Sequence, residues 1–255
     1  MKVVILAGGL GTRLSEETAV RPKPMVEIGT KPMLWHVMKI YAAHGFTDFV
    51  VCCGYKGYVI KEYFSNFLLH GSDVTFHLAT GDVTVHHRDA EPWTVTLIDT
   101  GDATQTGGRI ARVASYIDGD VFSMTYGDAV GTVDISALKA FHEKQGTLAT
   151  VTAVRPPARF GALDIEDDRV VHFMEKPEGG DTWINGGFFM LSPSVIDLID
   201  GDSTSWEAEP LERLAADGQL ACFRHDGFWQ PMDTLRDRDE LNRLWASGHA
   251  PWLPQ

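Results

Sequence analysis

The sequence has no run of basic residues, no apolar stretch approaching the length of a membrane span, and only three cysteines among its 255 residues. Each absence excludes something. With 22 Lys and Arg against 35 Asp and Glu, the net charge of −13 argues against a nucleic-acid polymer or an anionic membrane surface as partner. A membrane-crossing helix needs about 20 apolar residues. Lys2 is followed by only five, Val3 to Ala7, before glycines intervene, which is shorter than the apolar core of a secretory signal. The expected location is therefore the cytoplasm. Cys52, Cys53 and Cys222 make an odd count without C-x-x-C spacing, which argues against a disulfide framework or a zinc site. All three are read as small buried residues in strands. His86 and His87 sit at adjacent positions, and neighbours on a strand face opposite ways, so they do not form a metal pair. There is no internal repeat.

What is present is 44% hydrophobic residues, enough for one large core or a domain with a small subdomain. Apolar β-rich segments alternate with amphipathic ones, the pattern of an α/β sheet. Strands are expected near 2–7, 48–53, 73–78, 120–125, 148–154 and 184–191, and helices over 32–44, 56–67, 134–144, 205–216 and 233–245. In the second helix, Tyr58, Ile60, Tyr63, Phe64, Phe67 and Leu68 follow helical spacing and are read as core. Between 156 and 182, two alternating stretches, 162–166 and 169–174, suggest a β-hairpin. Trp206, Trp229, Trp245 and Trp252 crowd the end of the chain, where large aromatics either pack the end down or form a subunit contact.

The chemistry begins at residues 6–14, L-A-G-G-L-G-T-R-L, directly after the first strand. Gly8, Gly9 and Gly11 can reach positive φ and leave main-chain N–H groups to converge on an anion; the alternative is a tight turn that needs glycine for geometry alone. The better-known phosphate loops do not fit. A dinucleotide fingerprint from Gly9 requires glycine where Leu14 stands, one from Gly8 requires it where Leu10 stands, and a P-loop requires Gly-Lys-Ser/Thr, whereas Lys23 lies between Pro22 and Pro24. Residues 1–31 nevertheless carry five basic against three acidic residues, net +2 in a chain whose remainder is −15. Arg13 and Lys23 supply a planar fork and a point charge, the pair a polyphosphate needs. Asp128, after Phe122–Gly127, lies just beyond a buried strand and is a natural Mg²⁺ ligand. Asp233 is either a second metal ligand or the N-cap of the helix that follows. Glu175-Lys176 and Asn185, in I-N-G-G, suit a phosphate and sugar hydroxyls.

Taken in order, L-A-G-G-x-G-T-R-L, P-K-P, T-Y-G-D, E-K-P, I-N-G-G-F-F and F-W-Q-P-M-D-T resemble the sugar-1-phosphate nucleotidylyltransferases. D-T-G-D at 99–102 and T-G-G-R at 106–109 are similar to the cytidylyl branch and stand where thymidylyl members carry a Gln-Pro and a Gly-Leu-Ala segment. The resemblance spans the chain. It implies a Rossmann-like, mixed but mostly parallel sheet flanked by helices, with a small β-rich sugar-binding insertion. One domain is expected over 1–255, with 1–155 mainly nucleotide-binding, 156–232 mainly sugar-phosphate-binding, and 233–255 a C-terminal helix and tail. It implies CTP and glucose 1-phosphate as substrates, CDP-glucose and pyrophosphate as products, Mg²⁺ as cofactor, a role in deoxysugar and surface-polysaccharide synthesis, and a homo-oligomer, in the family a hexamer. No β-helical extension of the kind that carries an acetyltransferase is expected. Carried onto this chain, Leu6, Ala7, Gly8, Gly9, Gly11, Thr12, Arg13, Lys23, Thr106, Gly107, Arg109 and Gly127 would bind the nucleotide, with Arg13 and Lys23 catalytic. Gly161, Glu175, Lys176 and Asn185 would hold the sugar phosphate, and Asp128 and Asp233 the metal. Two other readings remain at this level: a relative using another nucleotide or sugar, and an inactive nucleotide sensor.

Overall fold

The first strand is V-V-I-L-A, β1 (Val3–Ala7), and all five residues are buried. A strand covered on both faces reads as such a continuous apolar run, and this is the signature of a parallel sheet between helices. In a computed structural model, which describes residues 1–9, 11, 14–88, 90–156, 162–166, 169–174 and 182–253, β1 lies inside a seven-stranded sheet. The other strands are β2 (Asp48–Cys53), β3 (Thr94–Asp99), β4 (Phe122–Tyr126), β5 (Ala149–Val154), β6 (Ile184–Leu191) and β7 (Leu220–His225). Their spatial order is β7-β5-β6-β4-β1-β2-β3. Only β6 runs against its neighbours; every other pair in the sheet is parallel. This is the mixed, mostly parallel α/β architecture expected above.

Alternation along the strands separates two cores. Val3, Ile5, Phe49 and Val51 join one with α1 (Met33–Ala43), while Val4, Leu6, Val50 and Cys52 join the other with Ile110 and Trp206. The other α-helices longer than one turn are α2 (Gly57–Ser65), α3 (Thr106–Arg112), α4 (Ile135–Gln145), α5 (Glu209–Ala216) and α6 (Leu235–Ala246). Three antiparallel hairpins among the described residues stand apart from the main sheet: the short Glu27–Ile28 with Lys31–Pro32, then Ser72–His77 with Asp82–Arg88, and Ala162–Glu166 with Arg169–Met174. The last of these matches the hairpin expected between 156 and 182.

The aromatic chain end packs inward. Trp206 and Trp252 are buried, and the rings of Trp245 and Trp252 meet His36 of α1 edge-on. His36 Nε2 donates to the Ile28 carbonyl (2.9 Å), and its Nδ1 accepts from the Trp252 indole N–H (3.1 Å). A carbonyl only accepts and an indole N–H only donates, so the ring is neutral. Burial holds its pKa down at about 4, with the charge of Lys31 acting in the same direction.

Several expectations fail in instructive places. The helix expected over 56–67 stops at Ser65, and a separate short turn follows at Phe67–His70. Tyr58 and Leu68 are exposed rather than core, because α2 rests on the sheet through Ile60, Tyr63 and Phe64. Cys222 is exposed, since β7 is an edge strand. β3 and β7, the two edges of the sheet, were not expected at all, because half-covered strands lack the long apolar runs of β1 and β2. α3 was missed because it opens Thr-Gly-Gly, poor helix formers. Among the described residues, no helix is long and apolar enough to cross a membrane.

Candidate functional site

The chain leaves β1 toward β2 on one side of the sheet and returns to β4 on the other, so the loops at the C-terminal ends of β1 and β4 diverge. Ligands of open α/β sheets bind in the crevice at such a switch point. A cavity of about 300 Å³ opens there. Leu6, Ala7, Gly8, Gly9 and Gly11 form one wall, Thr104, Gln105, Thr106 and Arg109 another, and Tyr126, Gly127, Asp128, Lys23, Pro24 and Asp233 the rest.

The two acids come from distant parts of the chain and are aligned by backbone. Ala129–Gly131 pairs antiparallel with Trp229–Pro231, and just beyond that ladder the Met232 N–H donates to the Asp128 carbonyl at 2.8 Å. Lys23 sits between the side chains, its Nζ 2.7 Å from Asp128 Oδ2 and 2.7 Å from Asp233 Oδ1. A single 3₁₀ turn, Lys23–Met25, opened by Pro22 and containing Pro24, aims it. Burial alone would lower the Lys23 pKa, but Asp128 and Asp233 outweigh it and hold the ammonium above the ordinary lysine value.

Asp233 does not cap α6. The N-cap is Thr234, whose Oγ1 accepts from the Asp237 N–H (3.2 Å), while Asp237 Oδ2 accepts from the N–H groups of Thr234 (2.9 Å) and Asp233 (3.1 Å). Asp233 itself lines the cavity. Two carboxylate oxygens that converge on one ammonium mark a place that suits a cation. Mg²⁺ is commonly bound by one or two carboxylates, with water and substrate phosphates completing its shell, so the pair fits that ion. Among the described residues, no group of three or more metal-ligating side chains competes with it.

Arg109 is buried under the glycine loop. Its guanidinium donates to the carbonyls of Gly8 (3.1 Å), Cys53 (3.3 Å), Gly101 (2.8 Å) and Asp102 (3.4 Å) and to Thr100 Oγ1 (2.7 Å). It therefore ties together the loops that follow β1, β2 and β3. Gly8 is glycine for this reason: a Cβ there would stand 2.0 Å from Arg109 Nη1. Gly11, with φ of 63°, takes the left-handed turn that lets the loop fold back.

The sequence-derived residues are distributed as follows. Leu6, Ala7, Gly8, Gly9, Gly11, Lys23, Thr106, Arg109, Gly127, Asp128 and Asp233 all line the cavity. Gly107 does not; it packs on the Thr204 backbone. Asn185 lies behind Tyr126, donating from Nδ2 to the phenol oxygen (3.3 Å). Thr12, Arg13, Gly161, Glu175 and Lys176 lie outside the described residues. The cavity adds Pro24, Thr104, Gln105 and Tyr126, to which no site role was assigned from the sequence. Tyr126 was within reach, because it immediately precedes Gly127-Asp128. In the segment 99–109, Thr100 turns inward and donates to the Cys53 carbonyl (2.7 Å), so the positions facing the cavity are 104–106 and 109.

A nucleotidyl transferase family model matches residues 2–237. The chain is 63% identical to glucose-1-phosphate cytidylyltransferase of Salmonella typhi, over 99% of this chain and 98% of that protein. It is 44% identical to the probable glucose-1-phosphate cytidylyltransferase of Bacillus subtilis (strain 168), over 99% of both. Among solved structures, HddC from Yersinia pseudotuberculosis superposes with a TM-score of 0.70 at 26% identity, covering 96% of this chain and 99% of that one.

Proposed function

The chain belongs to the nucleotidyl transferase family, and from that premise we propose that it transfers a cytidylyl group from CTP to α-D-glucose 1-phosphate, giving CDP-glucose and pyrophosphate. The observation that carries the reading is the pairing of Lys23 with Asp128 and Asp233 opposite a glycine loop at the switch point of the sheet.

The chemistry follows from charge. A phosphate oxygen of the sugar phosphate attacks the α-phosphorus of CTP, the bond to the β-phosphate breaks, and pyrophosphate leaves in line. The nucleophile is already ionised at neutral pH, so no base and no covalent intermediate are needed; the barrier is repulsion and orientation. The N–H groups around Gly8–Gly11 and the ammonium of Lys23 receive the triphosphate, and Arg13 stabilises the departing pyrophosphate. Mg²⁺ held by Asp128 and Asp233 would neutralise charge on the phosphates. Gly161, Glu175, Lys176 and Asn185 place the sugar phosphate. The reaction belongs in the cytoplasm, where nucleoside triphosphates are made, and its product is an activated hexose suited to deoxysugar and polysaccharide synthesis.

Cytosine presents an amine where uracil presents a carbonyl, so a pocket wall with acceptors in the segment 104–109 favours CTP. An unmet buried hydrogen bond costs about 1–3 kcal/mol, and CTP is expected to exceed UTP by at least about tenfold in kcat/KM. A pyrophosphate-release assay with each nucleoside triphosphate crossed with several sugar 1-phosphates tests this. Equal use of CTP and UTP would overturn the base assignment.

The chain also forms a homo-oligomer in this reading, a hexamer by resemblance. The hairpin at 72–88 supports it: half-buried Val74 lies opposite exposed Val85 and exposed Phe76 opposite exposed Val83 on one apolar face, beside an exposed Leu78, an area a second copy would cover. Sedimentation should show a single species several times the 28.2 kDa of the chain, reduced in mass by Phe76→Asp. A monomer at micromolar concentration would refute it.

A further inference from the structure

Glu207 does not line the cavity, yet both walls end on it. It sits in the turn before α5 and accepts three hydroxyl hydrogen bonds: Tyr126 on Oε1 (2.5 Å), and Thr106 (2.5 Å) and Ser205 (2.8 Å) on Oε2. Thr106 opens α3 on the nucleotide wall, and Tyr126 ends β4 on the wall beside Asn185. The approach is made possible by Gly107 and Gly108. A Cβ on Gly107 would lie 2.8 Å from the Thr204 carbonyl oxygen, and one on Gly108 2.6 Å from Asp202 Cα, so the helix backbone rests directly on the segment that carries Glu207.

Among the described residues no Lys, Arg or His pairs with Glu207. A carboxylate beside a cavity for anions works against binding unless its geometry is used. What it supplies is polarity. An ionised carboxylate only accepts, so each of the three hydroxyl protons is committed to it. Thr106 Oγ1 already accepts from the Trp206 N–H (2.9 Å), and the Tyr126 oxygen from Asn185 Nδ2. Toward anything else, both hydroxyls can then offer only lone pairs. Burial pushes the Tyr126 phenol pKa up, and the adjacent Glu207 charge adds to it, so the phenol keeps its proton.

We propose that Glu207 is a positioning residue that locks the Thr106 and Tyr126 hydroxyls as hydrogen-bond acceptors and joins the nucleotide and sugar walls of the cavity into one unit. Thr106 thereby offers an acceptor suited to the amine of cytosine, and Tyr126 with Asn185 one suited to a sugar hydroxyl. The inference rests on the two-substrate reading above, but the linkage of the walls does not depend on which base is used.

The test is a set of cycles in steady-state kinetics. Thr106→Val is expected to raise KM for CTP about fivefold and leave KM for glucose 1-phosphate within twofold; Tyr126→Phe does the reverse. Glu207→Ala raises both about tenfold, and in that background each of the other two substitutions adds less than twofold, because its hydroxyl has already lost its anchor. Glu207→Gln keeps the size of the side chain but turns one acceptor into a donor; it should retain the wild-type melting temperature within about 3 °C and still raise at least one KM. If Glu207→Ala does not fold, the Gln variant carries the same comparison. The proposal falls if the Glu207 variants change the melting temperature but leave both KM values within twofold, or if the effects of Thr106→Val and Tyr126→Phe multiply in full on their background. Should CTP show no advantage over UTP, the base assignment fails, while the cycles still report on the linkage with whichever nucleotide turns over.

Discussion

Asp128→Asn and Asp233→Asn are each expected to lower kcat by about three orders of magnitude while the protein stays folded, because in the proposed mechanism each would supply a charged oxygen to a cation that neutralises the phosphates. The folded state should tolerate both changes. Asparagine is nearly isosteric, the Asp128 carbonyl that binds Met232 N–H is main chain, and the cap of α6 belongs to Thr234 and Asp237. Each variant leaves Lys23 one carboxylate rather than two, so the site loses net negative charge and with it affinity for a divalent cation. Calorimetric titration with Mg²⁺ in the presence of CTP reads that loss independently of turnover. A variant within threefold of wild type in kcat, or with unchanged Mg²⁺ affinity, would remove that acid from the metal assignment.

Arg109→Ala is expected to be the most destabilising single change at the site, by roughly 3–5 kcal/mol. The substitution removes the guanidinium from five acceptors on three loops, leaving the Cys53 carbonyl only its Thr100 donors and the Gly8 carbonyl only the Tyr55 N–H, and empties a buried volume beneath the glycine loop. Lysine should not rescue it, since one ammonium cannot span acceptors on three loops as a planar guanidinium does. Urea unfolding measures the stability, and CTP binding to the folded fraction should fall in parallel because the glycine loop, proposed to receive the phosphates, loses its support. A loss under about 1 kcal/mol with CTP affinity intact would show that the loop holds its shape without Arg109.

Much of this was written locally in the sequence. β1 was legible because a parallel strand buried on both faces must be apolar throughout, and the glycine loop because close backbone approach admits no side chain at Gly8. The prolines around Lys23 and the Gly127-Asp128 pair after β4 identified cavity residues without any knowledge of what they face. Local rules failed where a residue's surroundings come from elsewhere in the chain. Gly107, expected at the nucleotide, serves the packing of α3 on 202–206, and nothing near it in sequence records that contact. Asp233 preceded a helix and could have been its cap; only the position of Asp237 assigns the cap to Thr234. Glu207 carried no motif, because its partners are far away in the chain.

The sequence by itself determined the α/β class, the family, the glycine loop and the identity of the acids and cations that line the cavity, since these depend on local backbone conformation and on which groups carry charge. The tertiary structure decided which groups meet. Lys23 between Asp128 and Asp233, Arg109 spanning three loops, and Glu207 joining two walls are pairings across long stretches of chain, made when β1 and β4 become neighbours and the short ladder of 129–131 with 229–231 closes. Hydrogen bonds and ion pairs act over about 3 Å, and separation in sequence says little about separation in space until the sheet order is set.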